Sequence, residues 1–244
     1  NCTTHFYHLG NKEGLSLNAV RDITQDESGF IWIATLKGLN RFDGFTVKQF
    51  LKGDAYGLIS DCVEFLIPIG DDLLVGTDKG VCRFNSTSET FTDVLNPDGE
   101  HIGRVHSASS GNPKSRFFAS ESTLYSYENG ALKPIVENRH YTDLFFDENS
   151  ILWGARPDGI DMITPDGTML KGIDIKDVFG IDDIITSISL DPYGYLWVGT
   201  HSSGVFRYNE SDGQSVPIEA SEADAMRYVR CLYWDDGGLM WIGT

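Results

Sequence analysis

The stretch DPYGYLWVGT, residues 191–200, joins a turn to an apolar strand. Residues 191–194 have turn chemistry, and residues 196–198 have the composition of a strand. Closely related phrases are DESGFIWIATL at 26–36 and DDGGLMWIGT at 235–244. A chain that repeats a turn-and-strand phrase is expected to repeat a whole structural unit.

The repeat is defined by one large side chain at a fixed place. Each of four tryptophans has Asp six residues earlier, and three of them have Gly three residues earlier, whereas Ser150 takes that place in the fourth. Two weaker copies place Leu or Phe at the tryptophan position. The anchors, separated by 36 to 44 residues, are Trp32, Leu74, Phe117, Trp153, Trp197 and Trp241.

A period in the forties that contains only strand-like pieces is typical of four-stranded β-propeller blades. No amphipathic helical pattern a dozen residues long competes with it. We therefore predict an all-β fold, an incomplete β-propeller of about five and a half repeats. The predicted blades are 14–51, 57–95, 102–136, 140–172, 181–218 and a truncated 226–244.

Propeller geometry gives the repeated residues a physical role. A blade is buried on both faces by its neighbours, so we expect the anchors to be core residues. Small residues follow five of the anchors by one or two positions and are expected to admit the next blade: Ala34, Gly76, Gly154, Gly199 and Gly243. The N-terminal segment 1–10 is interpreted as a strand that closes the ring in a longer, intact protein. The truncated last unit would expose an unpaired edge, which also indicates a fragment.

Composition excludes several function classes. The 36 acidic and 19 basic side chains give a formal charge of −17, which repels nucleic acid phosphates. No apolar run reaches the length of a membrane helix. Four cysteines without CxxC spacing predict buried free thiols, with one disulfide left open and Cys2 as an alternative lipid attachment site. No metal and no cofactor are predicted.

Two passages go beyond general propeller patterns: GLSLNAVRDITQDESGFIWIATLKGLNRFDG (14–44) and ITSISLDPYGYLWVGTHSSGVFRY (185–208). They resemble the two-component regulator propeller repeat. The resemblance implies the periplasmic sensor of a Bacteroidetes hybrid two-component system, with seven-bladed propellers and a cytoplasmic histidine kinase outside this chain. It also implies oligosaccharides from polysaccharide breakdown as ligands, no enzymatic activity in this region, and the remaining propeller and signalling domains as partners. A homodimer is a further expectation.

By analogy with other propellers, inter-blade loops and the loops between second and third strands build one ligand face. The ligand-binding candidates on it, chosen for their ability to hydrogen-bond or pair with a sugar, are Arg21, Lys37, His106, Arg156, His201 and Arg230. No catalytic residue is assigned.

Two other classes of function remain open. A propeller enzyme could be a sialidase-like glycosidase, although its Asp box has a different offset, or a lyase using a metal with His106 and His201. A non-catalytic platform for protein interactions is equally compatible with the acidic charge.

Overall fold

The computed structural model describes residues 8–111, 116–219, 226–235 and 237–244. Cys2 and most of the segment 1–10 lie outside the described residues, so ring closure by that segment stays a prediction. The chain divides into two compact units, one ending at Val105 and the other beginning at His106. Each unit is described by itself.

The first unit contains a short 3-10 helix, Asn11–Glu13, and two four-stranded sheets. The strands are β1 (Val20–Gln25), β2 (Ile31–Thr35), β3 (Gly38–Phe42), β4 (Val47–Phe50), β5 (Val63–Ile69), β6 (Asp72–Thr77), β7 (Val81–Asn85) and β8 (Thr90–Val94). In each sheet the strands pair antiparallel in chain order, which is the meander of a propeller blade.

The second unit contains the other four sheets and one short helix. Its elements are β9 (Ser107–Ala108), β10 (Ser110–Gly111), β11 (Arg116–Ala119), β12 (Thr123–Glu128), β13 (Ala131–Glu137), β14 (Asp143–Phe146), β15 (Leu152–Arg156), β16 (Gly159–Ile163), β17 (Met169–Asp174), α1 (Ile175–Phe179), β18 (Ile185–Leu190), β19 (Tyr195–Thr200), β20 (Val205–Asn209), β21 (Gln214–Pro217), β22 (Cys231–Trp234) and β23 (Met240–Gly243).

These strands form blades three to six. The sheets are β9-β11-β12-β13, β14 to β17, β18 to β21, and the pair β22-β23. Blade four gains a fifth strand, because β10 pairs parallel with β14. The all-β propeller fold predicted from the repeat is confirmed.

The repeated Asp and Trp form a hydrogen bond, which we call the Asp–Trp clamp. The indole Nε1 donates to the carboxylate six residues earlier at 2.7 Å for Trp32–Asp26, 3.0 Å for Trp153–Asp147, 2.9 Å for Trp197–Asp191 and 2.6 Å for Trp241–Asp235. The other carboxylate oxygen accepts the backbone N–H four residues after the Asp, from Phe30, Ile151, Tyr195 and Leu239. One side chain therefore fixes both the turn and the anchor.

The residue three positions after the clamp Asp needs a left-handed backbone. Gly29, Gly194 and Gly238 have φ of 88°, 85° and 80° there. Ser150 occupies the same place in blade four with φ of 63°. Glycine adopts this conformation without a Cβ penalty, whereas serine is strained.

The anchors are core residues in five blades and not in the sixth. Trp32, Leu74, Phe117 and Trp153 are buried, and Trp197 is partly buried. Trp241 is 59% exposed, so its assignment to the core is wrong in this structure. Its sheet has two strands in the described residues, and the indole is held there by the clamp rather than by packing.

Small residues after the anchors admit the next blade at some positions only. A Cβ on Gly199 would lie 2.4 Å from Val229 Cγ1 of blade six, which confirms the prediction there. On Gly76 a Cβ would meet Val105 at an ordinary 3.5 Å. Gly154 corrects the expectation, because a Cβ on it would lie 2.6 Å from Tyr141 of its own blade.

At Gly243, too, the close neighbour lies in the same blade. A Cβ there would lie 2.5 Å from Cys231 Sγ. The described residues contain no further blade after blade six, so the expectation that Gly243 admits the next blade stays a prediction.

Side chains on the inner strands join neighbouring blades. Asp22 of β1 accepts the backbone N–H of Leu66 at 2.8 Å, and Asp143 of β14 accepts that of Ile188 at 2.8 Å. Ser187 accepts the N–H of Leu232 at 3.1 Å in the same manner. Burial raises the pKa of the Asp22 and Asp143 carboxyls to about 6, although the N–H donors act in the opposite direction.

Two local expectations need correction. Cys82 is buried, but Cys62 is partly buried and Cys231 is exposed, because β22 turns Leu232 and not Cys231 toward the core. All three are free, so none of them forms the disulfide left open by the sequence.

Helix α1 lies in a segment that the sequence suggested as a loop. Asp174 caps it by accepting the backbone N–H of Lys176 at 2.8 Å, and Gly180 ends it with φ of 68°. An N-capping Asp followed six residues later by Gly is the signal that could have revealed it.

Candidate functional site

The first and second strands of three blades share a β-bulge at one position. The register skips Arg21 in blade one, Glu64 in blade two and Thr186 in blade five. A bulge redirects the side chain of the extra residue. The Thr186 hydroxyl accordingly donates to the Val229 carbonyl of blade six at 2.8 Å. These bulge residues are therefore placed at the boundary between adjacent blades.

The second unit has a cleft at this boundary between blades five and six. It encloses about 240 Å³ and is lined by Thr186, His201, Tyr228, Val229 and Arg230. Thr186 comes from the start of β18, and His201 directly follows β19. The remaining three residues precede β22. The structure thus brings together the predicted residues His201 and Arg230, and adds Tyr228, which sequence reasoning missed.

The polar groups of the cleft are held by backbone contacts on its rim. The ring centroids of His201 and Tyr228 are 6.1 Å apart, and the planes of the two rings are nearly perpendicular. The His201 N–H donates to the Ile184 carbonyl at 2.9 Å, and the Arg230 N–H donates to the Gly243 carbonyl at 2.8 Å. Both backbone positions are fixed, while their side chains remain available to a ligand.

The lining can bind a small polar ligand. Arg230 is exposed, and among the described residues no ion pair engages its guanidinium. Tyr228 is 53% exposed and offers a ring face and a hydroxyl. A guanidinium, an imidazole and a phenol together can donate to hydroxyl and carboxylate oxygens. The volume suits one sugar-sized group and is smaller than most pockets for drug-sized molecules.

A second and larger concavity lies at the other ends of the same inner strands. It encloses about 610 Å³, and its lining includes Phe145, Pro192, Tyr233 and Trp234. None of the predicted ligand-binding residues lines it.

Arg21 lies in the first unit and is paired. It donates to the buried Glu64 carboxylate through Nε at 2.9 Å, and Arg104 donates to the other oxygen at 2.6 Å. Cys62 Sγ lies 3.6 Å from the same carboxylate. Arg104 was missed, and no spacing in the sequence singles it out.

Arg156 is also engaged by carboxylates. It donates to Asp161 at 3.1 Å and forms an ion pair with Asp158. Arg139 and the Tyr141 hydroxyl donate to the other Asp161 oxygen, at 3.2 and 2.9 Å. Burial, followed by the charge of Asp161, raises the pKa of Tyr141.

The two other candidates have different surroundings. His106 Nε2 lies 2.6 Å from a Glu121 carboxylate oxygen, and its ring centroid lies 4.9 Å from that of His140. Neither His106 nor Arg156 lines the 240 Å³ cleft. Lys37 of the first unit is exposed, and its backbone N–H donates to Thr35 Oγ1 at 3.1 Å.

The described residues hold neither a cluster of metal ligands nor a helix that could span a membrane. No three His, Cys, Asp or Glu side chains there converge as a metal site, so His106 and His201 are not part of one. Across the described ranges, no helix has the length and apolar character needed to span a membrane.

Comparison with known families identifies the repeat. The family model of the two-component regulator propeller matches residues 14–37 and 180–202. The chain carries two-component regulator propeller repeats. The second matched repeat contains Thr186 and His201, so the cleft is built partly by the repeat itself.

Similarity to individual proteins extends this result. Histidine kinase P4 of Formosa agariphila is 53% identical over 36 residues, which are 15% of this chain and 3% of that protein. The extracellular domain of the hybrid two-component system BT4673 from B. thetaiotaomicron matches 97% of this chain with TM-score 0.74 and 20% identity. A second structure of a BT4673 extracellular domain matches 93% with TM-score 0.65 and 19% identity.

The propeller repeats in this chain correspond to part of those larger domains. The match covers 31% and 37% of the two structures. The chain therefore spans about a third of the extracellular domains that share its fold.

Proposed function

We propose that this chain is a ligand-sensing, non-catalytic propeller from the periplasmic part of a hybrid two-component system. Its ligand is an oligosaccharide released by polysaccharide breakdown, and the binding signal passes to a cytoplasmic histidine kinase outside this chain. The cleft of Thr186, His201, Tyr228 and Arg230 is the binding site.

One observation carries this proposal: a two-component regulator propeller repeat supplies two of the residues that line a cleft at a blade boundary. A ligand there would contact blade five through His201 and blade six through Arg230. Binding at such a boundary can favour one packing of neighbouring blades over another, which is the requirement for signalling.

The chemistry of the lining supports a carbohydrate. Sugar hydroxyls both donate and accept hydrogen bonds, and the cleft offers both functions through Thr186, His201 and Tyr228. The exposed ring of Tyr228 provides a flat apolar surface for a sugar ring, while Arg230 can bind hydroxyl or carboxylate oxygens.

A binding screen tests the proposal on the 244-residue chain. Oligosaccharides from several polysaccharides would be screened by thermal shift, and the affinity of each hit would be measured by calorimetry. We expect Arg230→Gln to weaken binding of the hit at least tenfold. Lys133→Gln is the matched control, because Lys133 is an exposed cation on β13 and does not line the cleft.

Two outcomes would contradict the proposal. One is the absence of any thermal shift across the oligosaccharide panel. The other is a hit whose affinity is unchanged by Arg230→Gln and by His201→Ala, since binding would then occur elsewhere.

A further inference from the structure

In the first unit, one buried carboxylate is shared by two arginines. The Glu64 side chain is 3% exposed, and those of Arg21 and Arg104 are 45% and 51% exposed. Arg21 contacts Oε2 at 2.8 Å through Nη2, and Arg104 contacts Oε1 at 2.6 Å. The carboxylate therefore holds both guanidiniums in fixed positions while each keeps an exposed side.

The charges of this cluster do not balance. Two guanidiniums meet one carboxylate, so the cluster carries an excess positive charge in a chain whose net charge is −17. Each guanidinium has five N–H donors, and Glu64 uses only some of them. The remaining donors of Arg21 and Arg104 form no other ion pair or hydrogen bond among the described residues.

The second unit shows how a similar cluster is completed by the protein. Arg139 and Arg156 share the buried carboxylate of Asp161, as Arg21 and Arg104 share Glu64. There, Asp158 supplies a second carboxylate to Arg156. The cluster has two cations and two anions, whereas the Glu64 cluster lacks the second anion.

We propose that Arg21 and Arg104 bind a carboxylate or sulfate group of an acidic oligosaccharide, in the role that Asp158 plays for Arg156. Planar guanidiniums bind both groups through paired hydrogen bonds, and a preorganised pair loses little side-chain entropy on binding. That the anionic group belongs to an oligosaccharide rests on the proposed function. That Arg21 and Arg104 can bind such a group rests only on the geometry and charge of the cluster. It narrows the ligand class to uronate-containing or sulfated sugars.

Small anions test this site directly. The 244-residue chain would be titrated with sodium glucuronate, sodium sulfate and glucose at constant ionic strength, and the arginine Nε–Hε signals would be followed by NMR. We expect saturable shifts of the Arg21 and Arg104 signals with glucuronate or sulfate and none with glucose. The anion that binds more tightly identifies the group as carboxylate or sulfate.

Two substitutions at Arg104 separate binding from folding. Arg104→Gln should weaken anion binding at least tenfold, and Arg104→Lys should weaken it less, because it keeps the charge and loses the planar fork. Unchanged affinity in a folded Arg104→Gln protein would overturn the proposal. Equal shifts of the Arg139 signal in the unaltered chain would also overturn it, since the anions would then be bound without selectivity.

The completed cluster provides a matched control. Asp158→Asn removes the second anion, so the Arg156 signal should become responsive to sulfate or glucuronate; a silent Arg156 signal would contradict the charge argument. The outcome of these anion titrations does not depend on whether the oligosaccharide screen finds a ligand. Anion-dependent shifts at Arg21 without any oligosaccharide hit would refute the proposed function alone, and a hit without these shifts would refute this inference alone.

Discussion

Blades one and two close the same hairpin in different ways. In blade one, Gln25 pairs with Ile31, so five residues connect β1 to β2, and the Asp26 clamp organises them. In blade two, Ile69 pairs with Asp72, and only two residues connect β5 to β6.

The same correlation holds in the second unit. The three other clamped blades also have five residues between the paired ends of their first two strands, at 147–151, 191–195 and 235–239. The Asp–Trp clamp therefore belongs to a longer turn. A two-residue connection is determined by its backbone, whereas five residues need a side chain that accepts several donors.

The largest expected effect is the removal of a buried clamp. Asp26→Ala leaves the buried Trp32 indole and the partly buried Phe30 backbone N–H without their acceptor. We expect a loss of about 2–4 kcal/mol in the free energy of unfolding, measured by chemical denaturation.

The exposed clamp of blade six is the control. Asp235→Ala should cost much less, because Trp241 remains accessible to water, which can replace the lost acceptor. Equal losses for the two variants would show that burial does not determine the strength of the clamp.

A smaller effect is expected where two blades approach closely. Gly199→Ala would place a Cβ 2.4 Å from Val229, which lines the proposed cleft, and should cost about 1–3 kcal/mol. Gly76→Ala occupies the equivalent position in blade two, where the same atom has 3.5 Å of space, and should be tolerated. Urea denaturation of both variants checks this; a fully stable Gly199→Ala protein would exclude a close contact between the blades.

The Asp143 carboxyl, which joins neighbouring blades, should change the free energy of unfolding by about 1 kcal/mol between pH 5 and pH 7.5. Burial raises the pKa of Asp143 to about 6 from its ordinary 3.8, so the folded chain binds the proton more tightly than the unfolded chain. This contribution to stability is complete below pH 4 and is lost as the pH rises through 6. Relative to the unaltered chain, Asp143→Asn should therefore gain stability between pH 5 and pH 7.5.

Denaturation curves at the two pH values measure this difference. The comparison between variants cancels the contribution of the other acidic groups. A difference that is the same at both pH values would show that folding does not raise the pKa of Asp143 into this range.

The smallest effect concerns the strained turn of blade four. Ser150→Gly should stabilise the chain by about 0.5 kcal/mol, because glycine adopts the positive φ of 63° without strain, although it is more flexible when unfolded. Gly194→Ser should have the opposite sign. Thermal unfolding of both variants tests this, and a destabilised Ser150→Gly protein would indicate that the serine side chain has another role.

The fold could be predicted because its signal is periodic. Aligning Trp32 and Trp197 suffices to define the blade, and Asp at a fixed offset marks the turn. The reason for that offset is visible only in three dimensions, where the carboxylate reaches both the indole and the turn N–H. Blade two was harder to recognise because its two-residue turn and Leu74 leave a weaker pattern.

The candidate sites were less predictable than the fold. Loop position correctly associates His201 with Arg230, since both precede or follow strands at one blade boundary. It does not show that Asp158 and Asp161 already occupy Arg156, or that Arg104 joins Arg21. Such pairings depend on side chains from different strands and loops, whose approach no local pattern encodes.

Hydrogen–deuterium exchange of the chain, with and without a saturating oligosaccharide from the screen, tests the central claim most directly. We expect new protection at 184–187, 201–204 and 226–230, the segments that form the cleft or adjoin it. Protection confined to 145–149 and 232–234 would place the ligand in the 610 Å³ concavity and contradict the proposed site. Unchanged exchange throughout the chain would contradict the claim that it binds the sugar.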